Sequence, residues 1–365
     1  MAVAARPLPW LLIEPFYGGS HRTLVDGLAA RLGRPVLLWT LPARHWKWRM
    51  RGAALHVAER WRRERPEVAG IFATSLLDAA ALRGLLPGEA AGLPFLLYFH
   101  EQQLAYPVRV RDARDEHFAW TNVQSAAAAD RLLWNSAYNR DSFLAALPAL
   151  LARLPAPRFA SLPATLAARS QVLPVPAELA ALAAAPRPPR GEVPRLLWNH
   201  RWEHDKGPEE FFAALIALAA EGFAFEVSVL GQRFRAAPAA FAAARAALGE
   251  RRLRHWGYLE SRADYARALL EADLVVSTAR HEFQGLAVLE AAAAGCLPLV
   301  PDALAYAETW PAERRYPPGQ LLPALRAELA APERWAAEAA VCRQRALAWD
   351  WGALLPRWQA VFAAP

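Results

Sequence analysis

The sequence predicts an α/β chain of two doubly wound, Rossmann-like domains, each a parallel sheet covered by helices. Short apolar runs of strand length alternate with helical stretches along nearly the whole chain, the pattern of parallel strands joined by crossover helices. The alternation stops at a Pro-rich stretch, PVPAELAALAAAPRPPRGEVP (174–194), and then restarts. The length, 365 residues, suits about two domains of ~150 residues each.

In the first half the strand candidates are PWLLIE (9–14), RPVLLW (34–39), AGIFAT (69–74), LPFLLYF (93–99), DRLLWN (130–135) and SQVLPV (170–175). Helices are expected between them near 20–32, 49–63, 75–85, 116–128 and 136–153. After a linker over 177–194, the second half supplies RLLWN (195–199), FEVSVL (225–230), LRHWG (253–257), DLVVST (273–278) and CLPLV (296–300), with helices near 208–221, 237–249, 261–271, 285–294 and 320–329. The expected domains are therefore 1–176 and 195–332. A helical tail over 333–365 carries tryptophans at 335, 349, 351 and 358, enough apolar surface to dock back on the first domain. Two open sheets of this type bind ligands in a cleft facing the carboxyl ends of their strands.

Composition narrows the class. Apolar residues make up 55% and charged residues 21%, which provides for buried cores and excludes disorder as the main theme. Two cysteines, Cys296 and Cys342, cannot build a disulfide framework or a four-cysteine zinc site, so a reducing cytoplasm is the expected compartment. The opening MAVAARPLPWLLIEP has too short an apolar run for a signal peptide, and no uncharged apolar run reaches the ~18 residues of a membrane span. The net charge of +7 suits an anionic partner without choosing one. Only Lys47 and Lys206 are lysines; the other forty basic residues are arginine, so arginine abundance alone argues nothing here.

Three segments place chemistry at strand ends. In EPFYGGSH the first strand ends at Glu14, and Gly18 and Gly19 open a helix, so a backbone without side chains can approach a ligand; a tight turn with Ser20 as N-cap is the alternative. His21, in the first helical turn, faces the same mouth. In LLWNHRWEHDKGPEEFF, Arg201 lies just past a strand and Lys206 stands before a helix starting at Pro208; two such cations hold a diphosphate, unless Glu203 and Asp205 neutralise them. In STARHEFQGLAVLEAAAAGCLPLV, Glu282 lies in the turn and Glu290 eight positions on in the helix. The backbone N–H groups around Phe283, Gly285 and Leu286 would point at a phosphate, and Glu290 would accept from ribose hydroxyls or pair with an arginine from elsewhere.

Two segments combine aromatic and basic residues. In LPARHWKWRMRGAALHVAERW, the residues Arg44, Trp46, Lys47, Trp48, Arg49 and Arg51 would stack bases and contact phosphates, or else join the core at helical spacing. In YFHEQQLAYPVRVRDARDEHFAW, His100 and Glu101 sit just beyond a strand, where a catalytic or acceptor-binding residue would sit, and Arg109 and Arg111 follow. No metal-ligand spacing appears, and none is expected.

A Gly-Gly loop, an Arg-x4-Lys pair and a Glu-x7-Glu pair, in that order over two Rossmann-like domains, resemble the GT-B retaining glycosyltransferases. The strings EPFYGGSH, LPARHWKWRMRGAAL, YFHEQQLAYPVR, WNHRWEHDKGPEEFF, HWGYLESRADY and HEFQGLAVLEA are similar, more narrowly, to the tRNA-queuosine α-mannosyltransferase family. The sequence departs from that family at Gln102, where asparagine is usual, and at Gln284, where an aromatic is usual. The resemblance implies transfer of mannose from GDP-mannose to queuosine at the wobble position of tRNA-Asp, with GDP-mannose as co-substrate, no metal or other cofactor, and no membrane. It implies that Arg201 and Lys206 bind the diphosphate, that Glu290 binds the ribose, and that Glu282 and His100 lie by the transferred sugar. Gly18, Gly19, Phe283, Gly285 and Leu286 would complete the donor site. Ser20, His21, Glu101 and the basic and aromatic residues named above would meet the acceptor tRNA. The alternatives are a transferase using another nucleotide sugar on a small glycan or lipid, and a noncatalytic RNA-binding protein on a transferase scaffold.

Overall fold

The structure, a computed structural model, describes residues 7–105, 116–156, 159–233 and 238–363. The chain forms two compact units, one of Met1–Pro176 together with Leu354–Pro365, the other of Ala177–Ala353.

The first unit holds a parallel sheet of β1 (Trp10–Tyr17), β2 (Val36–Pro42), β3 (Gly70–Thr74), β4 (Phe95–Phe99), β5 (Arg131–Trp134) and β6 (Ser170–Val172) in the order β2-β1-β3-β4-β5-β6. Helices cover the sheet, so its inner strands read as unbroken apolar runs: Leu11, Leu12 and Ile13 are all buried, and Ile13 pairs with Trp39. The second unit holds β7 (Arg195–Asn199), β8 (Glu226–Leu230), β9 (Leu253–Gly257), β10 (Leu274–Val276), β11 (Leu297–Pro301) and β12 (Arg315–Tyr316), also parallel, in the order β12-β11-β10-β7-β8-β9. An aspartate before an inner strand fixes a neighbour's start in each sheet: Asp130 accepts from Phe95 N at 2.7 Å and Asp273 from Arg195 N at 3.0 Å. No helix among the described residues is long and apolar enough to cross a membrane.

Two expectations need correction. The Pro-rich stretch 177–194 is not a free linker but part of the second unit. Its alanine run forms the helix Ala180–Ala184, with Leu179 and Leu182 buried, and Asp350 accepts from the N–H groups of Leu179 and Ala180 at 3.0 and 2.9 Å. Arg187 donates to the carbonyls of Leu270, Ala272 and Gly295, and Arg190 to Asp273. Nor is the tail one body. The helix Trp335–Ala346 belongs to the second unit, where Trp335 is buried and donates to Glu328. The following helix, Trp351–Ala363, belongs to the first unit from Leu354 on, where Trp358 and Phe362 are fully buried. There Phe362 meets Trp10 edge-on at 5.0 Å, Trp358 lies 5.3 Å from Tyr98, and Trp358 donates to Pro174 O at 3.1 Å.

Candidate active site

In the second unit the strand order reverses between β7 and β10, and open parallel sheets bind ligands at the carboxyl ends beside such a point. Arg201 and Lys206 follow β7, and Glu282 and Glu290 follow β10, so the topology brings them to one place. Gly207 makes the approach possible. It has φ 61°, and a Cβ on it would lie 2.2 Å from the Thr278 carbonyl oxygen. The two loops are then joined by hydrogen bonds from Thr278 Oγ1 to Lys206 O at 2.8 Å and from Arg280 N to Asp205 O at 2.7 Å.

Lys206 is buried at this junction. Its Nζ donates to His281 O at 2.7 Å and lies 3.3 Å from Glu282 Oε2 and 3.4 Å from Asp205 Oδ2. Glu282 Oε1 accepts from the N–H groups of Phe283 and Gln284 at 3.1 and 3.3 Å. Of the N–H groups expected to point at a phosphate, that of Phe283 is instead taken by the chain's own carboxylate, as is that of Gln284 beside it. Burial pushes the Glu282 carboxyl up, but Lys206, His200 and the backbone N–H groups of Gln284 and Gly285 outweigh it and hold the group at about 2. Burial, with the Lys206 ammonium beside them, holds His200 at about 3 and His281 at about 4, so both rings are neutral near pH 7. Arg201, by contrast, is half exposed and 3.1 Å from Glu203. The two cations therefore do pair with Glu203 and Asp205, the alternative left open by the sequence.

Gly285 caps the helix Leu286–Ala293 at φ 82°, and a Cβ there would lie 2.8 Å from the Tyr306 ring. One turn into that helix, Glu290 is held by both oxygens: Arg262 donates to Oε1 at 2.7 Å and Tyr265 OH to Oε2 at 2.6 Å. Asn199, the last residue of β7, donates to Tyr265 OH at 2.7 Å. Glu290 thus has its arginine partner, and its remaining lone pairs are what a ribose hydroxyl would meet.

In the first unit the two glycines divide the work. Gly18 is extended and is the N-cap, replacing the alternative in which Ser20 caps; a Cβ on Gly18 would lie 2.5 Å from Ala43 Cβ, so its bareness serves the loop after β2. Gly19 has φ 52° with open space where a Cβ would stand. His21 is buried, its Nδ1 is 3.1 Å from Glu14 Oε2, and its ring stacks on that of His100 at 3.9 Å. Glu14, His21 and His100 offer ligand atoms within 4.8 Å of one another, a spacing that suits a metal ion. The ring planes, however, lie within 27° of parallel, so the lone pairs run side by side and do not converge in plane on one ion. Glu101 is half-buried, its carbonyl accepting from Ser75 Oγ, and Gln102 is fully buried and shapes the turn by accepting from Leu104 N and Ala105 N.

The aromatic and basic helix begins earlier than expected, at Trp46, and runs to Glu64. Met50 is core and Trp46 packs on Phe118 at 5.1 Å, whereas Trp48 is 75% exposed. Lys47 and Arg51 both lie over the Phe118 ring, at 5.5 and 5.1 Å; Arg44 is exposed, and Arg49 donates to Pro42 O. Arg109 and Arg111 lie outside the described residues.

Residues 9–177 match the family described as tRNA-queuosine alpha-mannosyltransferase N-terminal, and residues 156–308 match family 4 glycosyltransferases in conflict systems. A tRNA-queuosine alpha-mannosyltransferase of Drosophila melanogaster is 37% identical over 315 residues, covering 84% of this chain and 82% of the fly protein. The chain belongs to the tRNA-queuosine alpha-mannosyltransferase family. Its fold is the GT-B fold, similar to that of a sucrose-phosphate synthase from Thermosynechococcus elongatus (TM-score 0.70, 16% identity, 98% of this chain and 100% of that one). A UDP-forming trehalose-phosphate synthase from Burkholderia xenovorans has a TM-score of 0.68 at 14% identity, covering 98% of both chains. Within the tRNA-queuosine alpha-mannosyltransferase frame, the sequence reading missed the contact of Glu14 with His21 and the Asn199–Tyr265–Arg262 support of Glu290. Glu14 carried a signal, a lone charge in an otherwise apolar strand that runs on past it to Tyr17 and does not end there as expected; Tyr265 and Arg262 carried none, because they reach Glu290 from a different helix.

Proposed function

We propose that the chain is a retaining glycosyltransferase that moves mannose from GDP-mannose to the cyclopentenediol of queuosine at the wobble position of tRNA-Asp, in the cytoplasm and with no resident cofactor. The observation that carries the reading is the 37% identity to the fly tRNA-queuosine alpha-mannosyltransferase over 84% of the chain, with Arg201, Lys206, Glu282 and Glu290 gathered at the switch point of the second sheet.

Arg201, half exposed, meets the donor diphosphate first, and Lys206 stabilises the charge that grows on it as the sugar–phosphate bond breaks. Glu203, Asp205 and Glu282 already engage these cations, so the diphosphate exchanges with carboxylates instead of entering a bare cationic pocket. Glu282, released from Lys206, turns to the sugar hydroxyls, and Glu290, preset by Tyr265 and Arg262, accepts from the ribose. The acceptor hydroxyl attacks on the face the diphosphate leaves, and the departing phosphate takes its proton.

The test is transfer of label from GDP-mannose to queuosine-containing tRNA, with queuosine-free tRNA and UDP-glucose as controls. Labelling confined to queuosine tRNA with GDP-mannose is expected. Labelling of queuosine-free tRNA, or none with GDP-mannose, overturns the assignment of acceptor or donor.

A further inference from the structure

We propose that Glu14 is a positioning residue: it fixes the proton on Nδ1 of His21 and with it the orientation of that ring, so that His100, stacked on His21, offers Nε2 to a substrate hydroxyl. The inference rests on the transfer reaction above and assigns a residue that the reaction does not otherwise use.

Glu14 has no solvent exposure, and a buried carboxylate is costly unless donors meet its oxygens. Phe16 N donates to Oε1 at 2.7 Å, and His21 Nδ1 lies 3.1 Å from Oε2. Against a carboxylate, only a protonated Nδ1 suits that contact, since a bare Nδ1 would set lone pair against lone pair. Glu14 therefore selects the form of His21 that carries its proton on Nδ1. The His100 ring, at 3.9 Å, stays neutral: burial, and then the His21 charge, hold its pKa well below the ordinary imidazole value. Among the described residues Glu14 also lies near this ring, its carboxylate within 4.8 Å of a ring nitrogen, and Tyr98 meets it edge-on at 4.8 Å and spends its hydroxyl on Leu173 O.

His100 Nε2 is the consequence of this arrangement. It is buried without a hydrogen-bond partner, although the His100 backbone carbonyl accepts from Asn135 at 2.9 Å. Buried ring nitrogens are seldom left unpaired, and this one follows β4 at the carboxyl end of its sheet, where parallel sheets take their ligands. A sugar or cyclopentenediol hydroxyl both donates and accepts, so it satisfies Nε2 in either tautomer of a neutral ring.

The test combines a measurement without turnover and one with it. Long-range 1H–15N spectra of histidine-labelled protein, assigned with His21→Gln and His100→Gln, are expected to show His21 protonated at Nδ1 and His100 neutral, and Glu14→Gln should release His21 to the neutral Nε2–H form. In kinetics Glu14→Gln should lower kcat about tenfold, with the KM for GDP-mannose within about twofold, and Glu14→Gln/His100→Gln should be no slower than His100→Gln alone. A wild-type His21 neutral at Nδ1 overturns the proposal even where Glu14→Gln does not fold. Additive losses in the double variant overturn it too, as does a His100→Gln enzyme of normal rate, the result expected if water alone satisfies Nε2. Wild-type protein that labels no queuosine tRNA instead overturns the reaction, and the spectra then decide the Glu14 relationship by themselves.

Discussion

Lys206 Nζ and Glu282 Oε2 lie 3.3 Å apart, with Asp205 on the other side of the same ammonium. Lys206 therefore does two things: it neutralises two carboxylates in the free protein and is the cation a diphosphate would claim. Lys206→Met should lower kcat/KM by roughly 100- to 1000-fold, and it should also lower Tm, since removing one partner of a buried pair costs about 3–5 kcal/mol. Adding Glu282→Gln should restore part of the Tm and none of the rate. Initial rates and thermal melts on the three proteins check this, and a near-normal rate for Lys206→Met removes Lys206 from the chemistry.

The support of Glu290 makes a graded expectation. Glu290→Gln should weaken GDP binding about tenfold, near 1.4 kcal/mol, while Tyr265→Phe should cost less because Arg262 still holds the carboxylate. Calorimetry with GDP measures both. Equal losses would make Tyr265, not Glu290, the group that meets the nucleotide.

Acid should weaken the second unit before its carboxylates titrate. His200 and His281 are held at about 3 and about 4, against an ordinary value near 6.5. The folded form leaves them neutral while the unfolded chain takes up protons, so their share of stability is complete above pH ~6.5 and is lost as pH falls toward ~4. Glu282, held at about 2, adds a second loss below pH ~4.5. Melts from pH 8 to 4 should show Tm falling from pH ~6.5 downward, with His200→Gln flattening the slope by about one proton. An unchanged slope in that variant removes His200 from the effect.

The helix Trp46–Glu64 separates two tryptophans by environment. Trp48→Ala should weaken tRNA binding by about 1–3 kcal/mol at unchanged Tm, as loss of a stacking platform does, whereas Trp46→Ala should lower Tm because its ring packs on Phe118. Neutralising Arg44, Lys47 and Arg51 should reduce the salt dependence of tRNA binding by about one unit for each phosphate left without its cation. Filter binding across a salt series reads both, and unchanged slopes assign these cations to solvent.

The sheets were legible because parallel strands buried on both faces are written as apolar runs, so Trp10–Tyr17 and Arg195–Asn199 stand out against their flanks. The positions of Arg201, Lys206 and Glu282 were legible because each lies in the turn past a strand, and that of Glu290 because it lies one turn into the helix that follows. What they touch was not: Glu282 turning back on its own N–H groups, and Tyr265 reaching Glu290, depend on how separate helices pack. The Ala180–Ala184 helix read as linker because prolines flank it, while the leucines that bury it are too few to set a period.

The return of Trp358 and Phe362 to the first sheet sets the order in which a ribosome can finish this protein. Trp10, Phe72 and Tyr98 are translated before every strand of the second unit, but the side chains that cover them are translated after every one of those strands. The unit begun first is thus completed last, and a nascent chain released early presents an open aromatic face that marks it as unfinished.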